Sequence, residues 1–253
     1  MSKYIHDEDT HNLRAPKKIV PEIIKILNPK SVVDFGCGIG TFLNVFKQYD
    51  VKDILGLDGP WANKSLLFKY IDAEEFQECN LEEEIKLSKK YDLVLSLEVA
   101  EHLSIDSADM FVQNLINSGN VILFSAAIPN QGGQNHINEQ WLTYWEAKFL
   151  KHNYVIHDII RPLFWDDPEI FWWYKQNMVL VTPKNFMFDF NVKYCPIRNV
   201  VHYELFNSKI NELKLINTGK LKKIFYLKLL LKSILGEQIV KKAKLMLTKN
   251  KHH

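Results

Sequence analysis

A doubly wound α/β sheet of seven mostly parallel strands, followed by a basic helical extension, is the architecture this sequence predicts. Three observations carry it. From about residue 19 to residue 182, short runs rich in Val, Ile and Leu alternate with stretches of helical periodicity, as strands joined by helical crossovers do. The first such run ends in a glycine-rich turn, "DFGCGIG". After Pro183 the alternation stops and the chain becomes laced with lysine.

In chain order, "KKIVPEIIKILNP" places Ile19, Ile23, Ile26 and Leu27 at helical spacing until Pro29 interrupts it. "SVVDFG" is a short β-branched strand feeding a turn, and "TFLNVFKQY" continues as a helix. "DILGLD" reads as the second strand, "EFQEC" as the third, "YDLVLSLE" as the fourth and "NVILFSAAIP" as the fifth. "WLTYWEAKFLKHN" is helical, and "YVIHDIIRP" and "NMVLVTP" close the sheet as an antiparallel pair at one edge. The boundary falls near residue 185: residues 1–185 form the α/β domain and 186–253 a partly helical extension. Within the extension, "KLKKIFYLKLLLKSILGEQIVKKAKLMLT" is amphipathic, suited to packing on the body, on another chain or on a membrane surface.

At 253 residues with 47% apolar composition, the chain is long enough to bury a full core. Cys37, Cys79 and Cys195 are too few and too scattered for a disulfide framework or a zinc cluster, and thiols kept reduced point to the cytoplasm. The polar N-terminus lacks the apolar core of a signal peptide, and no apolar run reaches spanning length, so a soluble protein is expected. The net charge of +2 conceals an asymmetry: twelve lysines, no arginine and two glutamates from Ser208 onward give this tail +10, against −8 for the remainder. Such a tail suits an anionic membrane, an acidic protein partner or, less well, nucleic acid; it is equally what a solvated helical face looks like.

A dinucleotide fingerprint requires G-x-G-x-x-G. Here the third glycine arrives one residue early, giving Asp34-x-Gly36-x-Gly38-x-Gly40. This motif resembles the first motif of class I S-adenosylmethionine-dependent methyltransferases, and the order of elements fits that family from about Ile19 to Thr182. S-adenosylmethionine has no pyrophosphate, so the glycines would serve close backbone approach to the cofactor. Asp34 would orient the loop or meet the methionine ammonium. Asp58 ends the second strand eighteen residues after Gly40, where the resemblance implies that it accepts from the ribose hydroxyls. The resemblance extends the cofactor set to Cys37, Gly59, Asn80, Leu81, Leu97 and Glu98. Asn80 departs from the aspartate that many members carry there. Trp61 either covers the adenine or fills a core gap.

"SLEVAEHL" begins where the fourth strand ends, at the sheet edge where open parallel sheets bind ligands. Glu98, Glu101 and His102 stand at i, i+3 and i+4, so a chain turning helical at once projects all three from one face. Two carboxylates and an imidazole together suit a divalent cation with oxygen and nitrogen ligands, and His136 in "IPNQGGQNHINEQW" is a candidate fourth ligand. Glu-x-x-Glu-His with a later histidine resembles ubiquinone-biosynthesis O-methyltransferases and the enzymes that methylate the 2′-hydroxyl at small-RNA 3′ ends. The latter resemblance implies a Mg2+ or Mn2+ ion held by Glu98, Glu101, His102 and His136 and chelated by two acceptor hydroxyls; the alternative is His102 as a metal-free base. Catalytic candidates are therefore His102, Glu98, Glu101 and His136.

Trp165, Trp172, Trp173 and Tyr174 cluster in "LFWDDPEIFWWYKQN", where they either stack on a ring at the pocket mouth or, as Trp173 and Tyr174 suggest, form core. Cys37 and Cys79 have no basic neighbour in sequence and read as apolar fillers. The whole pattern is similar to bacterial methyltransferases of surface-polysaccharide synthesis. That resemblance implies O-methylation of a small polar acceptor: a sugar, or a nucleotide-linked, phosphorylated or phosphoramidate building block of a capsule or lipopolysaccharide. RNA 2′-O-methylation and a non-catalytic cofactor-binding scaffold are the alternatives.

Overall fold

The computed structural model describes residues 11–188 and 198–236. Cys195, the first ten residues and the last five lysines lie outside them. The chain forms two compact units, Met1–His202 and Tyr203–His253.

In the first unit, α1 (Arg14–Leu27) buries Ile19, Val20 and Ile23. It stops where Asn28 takes a left-handed φ of 43° and donates its backbone N–H to Ile24, with Pro29 next. There follow β1 (Ser31–Phe35), α2 (Thr41–Gln48), β2 (Asp53–Asp58), α3 (Lys64–Leu67), β3 (Phe76–Glu78) and β4 (Leu93–Leu97). Then come α4 (Ala108–Ser118), β5 (Ile122–Ser125), α5 (Leu142–Leu150), β6 (Tyr154–His157), α6 (Arg161–Phe164), α7 (Trp172–Asn177) and β7 (Val179–Pro183).

The strands pair in the order β3-β2-β1-β4-β5-β7-β6, parallel from β3 to β5, with β7 antiparallel to both β5 and β6. This is the seven-stranded, doubly wound sheet that the sequence predicts. Alternate residues of each strand feed opposite faces. Val33, Phe35, Val94, Ile122 and Phe124 pack with Phe111, Leu115, Trp145 and Phe149 of α4 and α5. Val32, Leu93, Leu95 and Leu123 pack with Ile19, Ile23, Leu43 and Phe46 of α1 and α2. Burial on both faces is why the strands read as continuous apolar runs.

Strand order reverses between β1 and β4, and the crevice above their C-terminal ends is where such sheets take ligands. The loops there carry residues 36–40 and 98–103. In the second unit, α8 (Tyr203–Asn217) and α9 (Lys223–Leu235) are joined by a turn through Gly219 at φ 69°. No helix among the described residues is long and apolar enough to cross a membrane.

Candidate active site

A cavity of about 400 Å³ opens at this crevice, and the loops after β1, β2, β4 and β5 all contribute to its wall. After β1, the N–H groups of Gly36 and Cys37 both donate to the Leu57 carbonyl, at 2.7 and 3.1 Å, tying the turn to the end of β2. Gly36, Gly38 and Gly40 have φ of 81°, 58° and 79°, left-handed values that glycine adopts without strain. Gly36 is also under close approach: a Cβ there would lie 2.5 Å from a Val99 methyl. Gly36, Cys37 and Gly38 line the cavity. Gly40 instead begins α2 and packs toward Leu67 and Ile71.

Asp58 sits at the end of β2, its carboxylate accepting from the N–H of Gly38 (2.8 Å) and of Gly59 (2.7 Å), with Trp61 also bonded to it. Burial raises its pKa to about 6 against those hydrogen bonds. Asp34 is raised to about 7, by burial first and by the charge of Asp58 second. Two desolvated carboxyls on one wall create a negative potential that a cationic ligand would relieve. Leu81 and Leu97 complete this side, and Trp61 lines the cavity while its ring covers Gly59.

The shifts fix a pH dependence. Both aspartates bind protons more tightly folded than unfolded, so between about pH 4 and 7 the native state holds more protons and its stability falls as pH rises, by at most about 1.4 kcal/mol per pH unit per group. His102 acts in the opposite sense, because its depressed pKa of about 4 makes stability rise with pH from about 4 to 6.5. Urea unfolding of the ligand-free Asp34→Asn variant over this range isolates one aspartate: its stability should decline less steeply with pH than wild type. Identical slopes would contradict the burial argument.

Three expectations are corrected by the geometry. Asn80 is exposed, does not line the cavity, and closes a turn instead: its side chain donates to Glu83 and accepts from the N–H of Glu82. Trp173 and Tyr174 are not simple core, since with Trp172 they line the cavity, Trp173 stacked on Phe171 at 4.4 Å; Trp165 packs instead on His202. Glu98, Glu101 and His102 do not share one helical face. Glu98 takes a left-handed φ of 56°, its N–H bonded to the Ser125 carbonyl and hydroxyl, and only a 3-10 turn, Ala100–His102, follows.

That break sends the carboxylates to different partners. Glu98 accepts from Gln131 (2.8 Å) and Asn177 (3.0 and 3.3 Å), neutral donors that Gln176 joins by donating to Gln131 and Asn177. Glu101 is fully buried and neither carboxylate oxygen has a hydrogen bond of ordinary geometry. Burial drives both carboxyls upward, Glu101 further because the charge of Glu98 adds to it. Ligand atoms of Glu101, His102 and His136 lie within 4.8 Å of one another, a set that does not include Glu98. The two imidazoles meet edge to face at 4.9 Å, and burial and then His136 lower His102 to a pKa of about 4, leaving it neutral at physiological pH.

The loop after β5 brings His136 here. The Glu101 carbonyl accepts from the N–H groups of Ile137 and Asn138 at 2.9 and 3.0 Å. Glu139 accepts from the N–H of Asn130 and Gly132 and pairs with His136 Nδ1 at 2.9 Å, which leaves Nε2 as the ring's second nitrogen. A Cβ at Gly133 would fall 2.1 Å from that Nε2, so a side chain there would push the His136 ring aside. Glu139, Gln131 and Asn177 were missed from sequence; the amide-rich composition of "NQGGQNHINEQ" was the one signal for the first two. Burial pushes the Cys37 thiol upward and Cys79 to about 11, so neither thiol is activated.

A family model described as a methyltransferase domain matches residues 5–162. No curated protein matches the chain at a significant level. Among solved structures, the chain is similar to DesVI of Streptomyces venezuelae, at 11% identity and a TM-score of 0.53 over 71% of this chain and 100% of that one. It is also similar to the small RNA methyltransferase HEN1, at 16% identity and a TM-score of 0.51 over 76% of this chain and 28% of that one. The methyltransferase domain of bacterial CtHen1 aligns at 19% identity with a TM-score of 0.48, over 68% of this chain and 100% of that one. At these identities the likeness is one of fold.

Proposed function

The chain belongs to the methyltransferase-domain family, and from that premise we propose that it is an S-adenosylmethionine-dependent O-methyltransferase for a small, polar, hydroxyl-bearing acceptor. In this reading residues 1–185 carry the reaction and residues 186–253 form a basic extension. The observation that carries the oxygen acceptor is Glu101: a buried carboxylate whose oxygens find no hydrogen bond of ordinary geometry among the described residues, facing two imidazoles on a cavity that also meets the glycine turn. Burying a carboxylate this way is costly unless something positive completes the site.

The residues present fit both groups. The glycine turn admits the cofactor where a side chain at position 36 would collide with Val99, and Asp34 and Asp58 supply negative charge for its ammonium and acceptors for its ribose. Glu101, His102 and His136 form an oxygen and nitrogen set suited to Mg2+ or Mn2+, with Glu139 fixing the His136 tautomer. Bound S-adenosylmethionine supplies the methyl group on a sulfonium, and a divalent cation supplies positive charge that acidifies and orients an acceptor hydroxyl. Glu98 has a separate role, since Gln131 and Asn177 hold it on the cavity lining apart from the cation set. Polar groups on one wall and the indoles of Trp172 and Trp173 on another favour a sugar or nucleotide-linked acceptor, of the kind from which surface polysaccharides are built.

Manganese binding to chelator-stripped protein saturated with S-adenosylhomocysteine, followed by electron paramagnetic resonance, tests the cation set. One site is expected, lost in His136→Ala and weakened about 10- to 100-fold in Glu139→Ala. No binding to wild type would remove the cation from the proposal and leave His102 as the base.

A further inference from the structure

The second unit carries an exposed apolar strip. Tyr226 fastens α9 to α8: its hydroxyl lies 2.8 and 2.9 Å from the carbonyls of Leu215 and Ile216 and accepts from the N–H of Leu221. Phe225 packs edge-on against that ring and, like it, is half-buried. On the other side of α9 no such cover is found among the described residues. Ile224, Leu227, Leu231 and Ile234, at i, i+3, i+7 and i+10 and so on one face, are 54%, 49%, 40% and 69% exposed.

The charges beside this strip are of one sign. Lys222 and Lys223 open the helix and Lys228 and Lys232 stand one turn apart along it, with no acidic residue between Glu212 and Glu237. We propose that this face of α9 is a docking surface for an anionic lipid bilayer, with the helix lying in the interface. The apolar strip supplies burial among acyl chains, and the lysines, whose flexible stems reach outward from an apolar surface, supply attraction to anionic headgroups. At 13 residues α9 is about 20 Å long, short of the hydrocarbon thickness, so it lies on the membrane and does not cross it. A second copy of the chain is disfavoured as the occupant, since pairing two strips brings two tails of +10 together. A lysine-only cation set also lacks the bidentate arginine geometry that phosphodiester recognition favours. The inference does not rest on the methyl-transfer reading.

Flotation of the full chain with vesicles tests it. Binding is expected to phosphatidylcholine vesicles containing a minority of phosphatidylglycerol and not to phosphatidylcholine alone. Leu227→Asp with Ile234→Asp, and separately Lys228→Glu with Lys232→Glu, should each weaken it roughly tenfold or more. Unchanged thermal stabilisation by S-adenosylhomocysteine in both variants would show that the first unit is intact. Three results would overturn the proposal: no dependence on the anionic lipid; displacement from vesicles by single-stranded RNA with the aspartate pair having no effect, which would make the tail a nucleic-acid handle; or a solution dimer that the aspartate pair dissociates.

Discussion

Glu101→Gln is expected to lower kcat by about three orders of magnitude, the equivalent of roughly 4 kcal/mol of transition-state stabilisation, while S-adenosylhomocysteine affinity stays within a few-fold of wild type. The substitution keeps the shape of a fully buried side chain and removes its charge. In the proposed site that charge is what holds the cation among His102 and His136, a set that includes neither aspartate of the cofactor wall. The same change should leave ligand-free stability equal to or above wild type, because the carboxylate has neither a hydrogen bond of normal geometry nor an opposite charge to compensate its burial. Catalysis and stability therefore move in opposite directions. A variant retaining activity within tenfold of wild type would refute the role; one that lost activity together with cofactor binding would mark Glu101 as structural.

The second large effect is at Gly36. Gly36→Ala places a Cβ 2.5 and 2.9 Å from the two methyls of Val99, at a φ of 81° where an L side chain costs about 1–2 kcal/mol before any collision. The turn and the Val99 segment must part, and the two form adjacent walls of the cavity. Cofactor affinity is expected to fall at least about a hundredfold, with a stability loss of about 2–4 kcal/mol. Val99→Ala in the same chain should recover part of both losses by removing the colliding methyls. Gly219→Ala is the control: at φ 69° with open space around it, it should show only the backbone cost and no change in affinity. Equal losses at positions 36 and 219 would rule out the close-approach argument.

The sheet was legible because its strands are buried on both faces, so that Val32, Val33, Leu93, Val94 and Leu95 read as unbroken apolar runs whatever their neighbours do. Asp34, Gly36, Gly38 and Asp58 were legible because a positive φ demands glycine and because the acids stand at fixed distances from strand ends. The 98–102 segment was misread for a tertiary reason. Residue spacing there suits a helix, but the Ser125 carbonyl and hydroxyl, 27 positions away, capture the Glu98 N–H and hold the residue left-handed. Long-range pairing also hid Asn177, which meets Glu98 across 79 residues, while Glu139 lies three positions after His136, where spacing alone does not distinguish an orienting carboxylate from a solvated one.

The Glu98 cluster has a chemical direction. Asn177 and Gln131 offer nitrogen to the carboxylate, Gln131 receives nitrogen in turn from Asn177 and Gln176, and Gln176 gives its oxygen to the N–H of His202. Reversing one amide would set oxygen against oxygen. Conversion of Asn177 to aspartate, which alters almost nothing in volume, would place a second negative charge against Glu98 where a donor now stands. At this position the fold reads the sense of the hydrogen bond and is nearly blind to size, so a substitution that looks most conservative on a scale of shape would be among the least tolerated, and spontaneous deamidation of that side chain would age the enzyme at this cluster.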